Sequence, residues 1–176
     1  MVSRFKFFFK KLKPRTQNLF FSQKKTKFLE ETWFLTSNSK IIVLNKVSLF
    51  STLKTEDIHK ISTIACEEIY GNGHILFNEG DIGNRLFIIV EGEVMILNKN
   101  KDGTEKHLAT LKENEFLGEL SLFDAETRTA TARCHGLCTF LVIERNDMEQ
   151  LAHEYPAIAF GFIKMLISRM RSMVLT

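Results

Sequence analysis

A chain of 176 residues with 44% apolar side chains can bury one compact core and carry an appendage, but is too short for two ordinary domains. The net charge of +3 hides an asymmetry: residues 1–40 hold ten Lys+Arg against two acids (+8), residues 41–176 fourteen against nineteen (−5). A role on polyanions is therefore confined to the first segment.

Cys66, Cys134 and Cys138 cannot all pair within one chain, and no Cys-x-x-Cys or histidine cluster completes a zinc pattern. Reduced thiols, with Cys66 and Cys134 buried in apolar runs, are the expectation, and they suit a cytoplasmic protein. No apolar run nears the roughly eighteen residues that span a bilayer, and Phe7-Phe8-Phe9 is too short for a secretory signal.

In chain order, residues 1–40 show no sustained helical or strand period and read as a basic, aromatic-rich flexible arm. Its cations and aromatics make an anionic membrane surface a candidate partner, which would place the protein peripheral to a membrane. Order is expected from Ile41, with Ile41 to Leu44 leading into Val47, Leu49 and Phe50. Thr55 is expected to cap a helix with Glu56 and Asp57 in its first turn, and Ile58, Ile61, Ile64 and Ala65 form its apolar face.

From Glu67 short apolar runs alternate with glycine turns, the pattern of an antiparallel sandwich or barrel. The runs are His74–Phe77, Leu86–Val90, Val94–Leu97, His107–Leu111, Ala130–Cys134 and Thr139–Ile143. Asn100-Lys101-Asp102-Gly103 is a hairpin signal. Asn146 with Glu149 predicts a helix cap, and Pro156 stops that helix and opens another. The last helix, 156–173, is apolar around most of its circumference and needs a partner: the sheet, a ligand or a second subunit. Strands flanked by helices, without βαβ alternation, give an α+β or helix-decorated barrel class.

The chemistry lies in Phe116-Leu117-Gly118-Glu119-Leu120-Ser121-Leu122, followed by Arg128-Thr129-Ala130. Gly118 lets backbone approach a ligand, a helical turn after it offers N–H groups to an anion, and Arg128 supplies a planar cation suited to phosphate. Glu119 would repel phosphate but can accept hydrogen bonds from sugar hydroxyls. The competing reading is a surface ion pair between Glu119 and Arg128.

This run resembles the phosphate-binding cassette of the cyclic-nucleotide-binding family, which includes kinase regulatory subunits, gated channels and the bacterial catabolite activator. The family's glycine frame is also present as Gly73, Asn78-Glu79-Gly80-Asp81-Ile82-Gly83 and Gly92. The resemblance covers about Leu44 to Met173. Asn72 stands where the family usually has a basic residue, and Leu117 sits between the aromatic and the glycine.

The resemblance implies a mainly β fold, an antiparallel β-roll or jelly-roll barrel of about eight strands with flanking helices, over residues 41–176. It implies a non-enzymatic sensor in signal transduction, with cAMP or cGMP as ligand and no cofactor or metal. Glu119 would accept the ribose 2′-hydroxyl and Arg128 the cyclic phosphate. Backbone N–H groups around Leu120, Ser121 and Ala130 would complete the anion site, and Thr129 would reach phosphate or base. Strand parity makes Ile96, Ala109 and Leu111 the purine wall. The last helix would close as a lid, with Met165, Arg169 and Met170 as contacts.

The five histidines lack the His-x-His of a metal-binding barrel, and Ser121 lacks the Gly-x-Ser-x-Gly frame of a hydrolase. Gly80 and Gly83 are turn glycines, since no βαβ unit surrounds them. The alternative function is a nucleotide-free module that dimerises, or binds an effector protein, through the last helix. DNA recognition is not expected, because the chain stops at Thr176, where a helix-turn-helix would follow.

Overall fold

The computed structural model describes residues 35–100, 103–122 and 127–174. The arm assigned to residues 1–40 and its membrane role thus fall largely outside the described residues. Helix α1 (Ser37–Lys46) crosses the boundary drawn at residue 40, capped by Thr36, whose Oγ1 accepts from Ser39 N. A 3-10 turn at Ser48–Phe50 leads to α2 (Thr55–Ile64). The strands follow: β1 (Cys66–Tyr70), β2 (Ile75–Phe77), β3 (Arg85–Lys99), β4 (Glu105–Leu111), β5 (Phe116–Leu117) and β6 (Thr131–Glu144). Two helices close the chain, α3 (Arg145–Glu154) and α4 (Pro156–Val174).

All pairings are antiparallel, in the order β1-β6-β3-β4, with β2 on β6 and β5 on β3. The described residues thus form an antiparallel sheet of six strands flanked by helices, as the fold class predicted, but not a closed barrel of eight. The physical reason is that expected neighbours merge. Leu86–Val90 and Val94–Leu97 form one strand, β3, and the runs before and after Gly136 form one strand, β6. The ladder between them continues through two register shifts around Glu91. The hairpin signal at residue 100 is matched by the Lys99–Glu105 pairing and by Gly103 N donating to Asn100 O at 2.9 Å.

Alternation along β3 and β6 divides the core into two layers. Leu86, Ile88, Leu141 and Ile143 face the helices, packing with Leu44, Phe50, Ile58, Ile61, Ile158 and Phe162. Phe87, Ile89, Phe140 and Val142 point the other way, joining Val94, Leu117, Ala132, Cys134 and Cys138. Successive residues of a strand face opposite sides, so two strands serve both layers.

Three local expectations need correction. α2 begins with Thr55 inside it and Lys54 as cap; no side chain caps it, and Lys54 O accepts from Asp57 N and Ile58 N. α3 begins at Arg145, not after Asn146, because the Arg145 N–H finds a tertiary acceptor in Asn84 O at 2.8 Å. Cys66 is exposed at the start of a sheet-edge strand, while Cys134 and Cys138 are the buried thiols.

Gly92 is where this architecture is least tolerant. Its φ is +96°, and an added Cβ would lie 2.6 Å from Leu137 O and 2.9 Å from Cys138 Cα, both backbone atoms of the facing strand. Strain and overlap together predict that Gly92→Ala lowers unfolding free energy by roughly 2–4 kcal/mol. Urea titration of the two proteins measures this; equal midpoints would contradict the close crossing.

Candidate phosphate- and base-binding site

Arg128 is the centre of the site, and the fold builds its surroundings from four separate segments. Its side chain is buried, with 7% exposure. The guanidinium Cζ lies 4.1 Å from the centroid of the Phe77 ring. Its Nη2 donates to Arg85 O at 2.7 Å. Against it stands Gly118, with φ +82°, where an added Cβ would fall 2.2 Å from Nη1. Glycine is thus required twice over, by conformation and by space.

The backbone of Arg128 is locked by the glycine turn at 78–83. Gly80 N donates to Arg128 O at 2.9 Å and Arg128 N donates to Asp81 O at 2.8 Å. Asp81 Oδ2 accepts from Asn78 N at 2.7 Å, closing the turn, and Thr131 Oγ1 accepts from Glu79 N at 3.0 Å. Gly80 therefore serves the arginine's position.

The cassette is anchored on both sides of its 3-10 turn (Glu119–Leu122). Leu117 is buried in the layer away from the helices and Leu122 in the helical layer. Between them Glu119 is half-buried, and Leu120 is 62% exposed. Ser121 lies in the turn; its side chain, like residues 123–126, is outside the described residues. Thr129 is exposed and Ala130 buried.

Burial, then the neighbouring Arg145 guanidinium, works against the charge of Arg128; Glu119 and Asp81 support it, and Arg85 opposes it. The balance loosens Arg128's hold on its proton relative to an ordinary arginine, though the group stays charged at neutral pH. An added anion would reverse that balance.

The three residues assigned to a base wall share one face. Ile96 pairs with Ala109 on β4 and with Ala132 on β6, and Ala132 pairs with Phe77 on β2. Directly paired residues project to the same side, so Phe77, Ala132, Ile96 and Ala109 make a row across four strands. Leu111, paired with Val94, lies in the adjacent row, Val94 also pairing with Cys134. Ile96 and Leu111 are half-buried against the layer away from the helices, and Ala109 is exposed. The row begins at the ring that carries Arg128, so cation and apolar wall are contiguous.

Of the three lid contacts that the resemblance implies, one is placed in a core layer. Met165 is buried in the helical layer, Met170 is 62% exposed, and the Arg169 side chain is outside the described residues. Among the described residues no cluster of His, Cys, Asp or Glu could hold a metal, and no helix is long and apolar enough to cross a membrane.

Two residues of the site escaped the sequence reading. Phe77 carried a signal, an aromatic ending a strand just before the glycine turn. Arg85 carried none, since its partners Glu68 and Glu144 are distant in sequence. Arg85 pairs with Glu68 through Nη2, and its Nε lies 2.7 Å from Glu144 Oε1. The Tyr70 hydroxyl donates to the other Glu68 oxygen.

The Cyclic nucleotide-binding domain family matches residues 67–155. The cyclic AMP receptor protein of Thermus thermophilus is 29% identical over 123 residues, covering 70% of this chain and 57% of that protein. The human cyclic nucleotide-gated channel beta-3 is 32% identical over 117 residues, covering 65% of this chain and 14% of the channel. The chain thus spans less than two thirds of these relatives. The crystal structure of the N-terminal domain of a transcriptional regulator from Streptomyces coelicolor A3(2) superposes with a TM-score of 0.69. It is 32% identical, covering 74% of this chain and 92% of that one.

Tyr70 gives the network a pH signature. Burial first, then Glu68, pushes its hydroxyl from the usual 10.0 up to about 12. A raised folded-state pKa means the folded protein keeps a proton that the unfolded chain loses. Tyr70's contribution to stability is fully present below pH 10.0 and is lost as pH rises towards about 12. The slope is at most about 1.4 kcal/mol per pH unit, and less for a half-buried group. Tyr70→Phe should flatten that part of the curve in urea titrations across this range; an unchanged curve would remove Tyr70 from the network.

Proposed function

The chain belongs to the cyclic nucleotide-binding domain family, and from that membership we propose that it is a receptor module for cAMP or cGMP that carries out no reaction itself. The observation that carries the reading is Arg128: a buried guanidinium, stacked on an aromatic ring, beside a glycine with no room for a side chain.

In this proposal Arg128 takes the equatorial oxygens of the cyclic phosphate in a charge-assisted, forked contact. Low surrounding polarity strengthens such a contact relative to one in water. Backbone N–H groups of Leu120, Ser121 and Ala130 complete the anion site. Glu119 accepts the ribose 2′-hydroxyl, a neutral donor that a carboxylate can bind without opposing the phosphate. Thr129 offers its hydroxyl to phosphate or base, and the base rests on Ile96, Ala109 and Leu111. The relatives named above as a cyclic AMP receptor and a cyclic nucleotide-gated channel support this ligand class.

The output is proposed to leave through α4. Ile158 and Phe162 seat that helix on the layer that shares β3 and β6 with the site. Thr52 Oγ1 donates to Gly161 O at 2.7 Å, and the Phe162 ring meets Phe50 edge-on at 5.8 Å. A change in those strands would reach the helix through this shared layer and the 3-10 turn.

One observation favours a second reading, a nucleotide-free module that dimerises. α4 leaves Phe160, Ile163, Ile167 and Met170 exposed at 64, 50, 44 and 62%. Their three-four-three spacing is that of a coiled-coil seam. This reading predicts a dimer by sedimentation equilibrium that Ile163→Lys with Ile167→Lys converts to monomer, and no heat of cyclic-nucleotide binding. A nucleotide-binding monomer would eliminate it.

Titration calorimetry separates the readings. Arg128→Ala should weaken cAMP or cGMP about tenfold to a hundredfold, the loss of one or two charge-assisted hydrogen bonds. Equal affinities for wild type and variant would rule out the assigned role.

A further inference from the structure

Three successive backbone carbonyls, two just before β3 and one at its first residue, are taken up by two arginines. Gly83 O accepts from Arg145 Nη2, Asn84 O from Arg145 N at 2.8 Å, and Arg85 O from Arg128 Nη2 at 2.7 Å. The Arg85 carbonyl is therefore one of the contacts that fix where the Arg128 guanidinium lies. That same oxygen is 2.7 Å from the Cβ position at Gly118, so the carbonyl also bounds the space beside the cassette.

The ladder pairing of Arg85 with Glu144 holds that stretch of backbone, and the Arg85 side chain adds a second tie to the same place. That side chain pairs with Glu68 on β1 and with Glu144 at the end of β6, joining three strands at one residue. Its guanidinium lies 5.2 Å from the Phe87 ring centroid, and both Arg85 and Glu68 are little more than a quarter exposed. An isolated exposed ion pair would contribute little, but a half-buried residue gripped by two carboxylates is restrained in position. The two carboxylates also offset a third positive charge close to Arg128 and Arg145, which would otherwise repel both.

We infer that Arg85 is a positioning residue for phosphate recognition: clamped between Glu68 and Glu144, it presents the carbonyl on which Arg128 is docked. It thereby sets the plane in which the guanidinium meets the ligand, without touching the ligand itself. This rests on the reading of Arg128 as the phosphate-binding residue.

The test is a double-mutant cycle by calorimetry with cAMP and cGMP, using Arg85→Met, Arg128→Ala and the two combined. Arg85→Met should weaken binding about fivefold in the wild-type background, the scale of one misaligned hydrogen bond, and have no effect when Arg128 is already alanine. A general loss of fold quality would instead weaken both backgrounds equally, and that result overturns the inference. So does an unchanged affinity for Arg85→Met while Arg128→Ala binds weakly. An Arg128→Ala protein with wild-type affinity overturns the underlying reading as well. Should Arg85→Met fail to fold, Glu68→Gln with Glu144→Gln removes the clamp from the other side and carries the same expectation.

Discussion

The candidate site depends on keeping one arginine side chain charged and buried in a fixed place. Taking a guanidinium out of water is costly unless its surroundings replace the lost hydration. Here the replacement comes from the Phe77 ring, the Arg85 carbonyl and the carboxylates of Glu119 and Asp81. Each depends on something further back. Phe77 and Asp81 flank or belong to a turn that requires Gly80 at φ +85°, and Gly118 must lack a side chain for the guanidinium to fit. Arg85 is held by carboxylates from two other strands. The glycines and the ion pairs are parts of one device.

Strand alternation also links the candidate site to the helical layer. β3 and β6 present one set of side chains to the row that starts at Phe77 and the alternate set to the helices. Any displacement of these strands at the site side must be matched on the helix side, because packed cores accommodate little deformation. α3 is tied to the same region through Arg145, bonded to Gly83 and Asn84 immediately before the carbonyl that receives Arg128. In the proposed function, this tie is the route by which a binding event would reach the C-terminal helices.

Much of this was legible in the sequence, for local reasons. The cassette, the glycine turn and the hairpin before β4 depend on residues close together in the chain, and strand parity sufficed to put Ile96, Ala109 and Leu111 on one side of the sheet. Proline at 156 opened a helix as its missing N–H predicts. What failed was decided at a distance. Asn84 O replaced a side-chain cap at Arg145, register shifts merged four expected strands into two, and an edge position exposed Cys66. Met165 reads as apolar on any face, so only packing could assign it to the helical layer. Arg85 had no motif at all, since its function requires Glu68 and Glu144 from other strands.

The most direct test is a thermal-unfolding series on the unmodified protein with cAMP, cGMP and 5′-AMP. Ligand at a hundredfold excess over its dissociation constant adds about 2.7 kcal/mol to the folded state, a rise of roughly 5–10 °C for a domain of this size. At least one cyclic nucleotide should produce that rise, and the open-chain nucleotide, whose phosphate is differently shaped and charged, should produce less. Identical midpoints with and without either cyclic nucleotide, up to millimolar concentration, would contradict the receptor assignment and leave Arg128 as a structural residue alone.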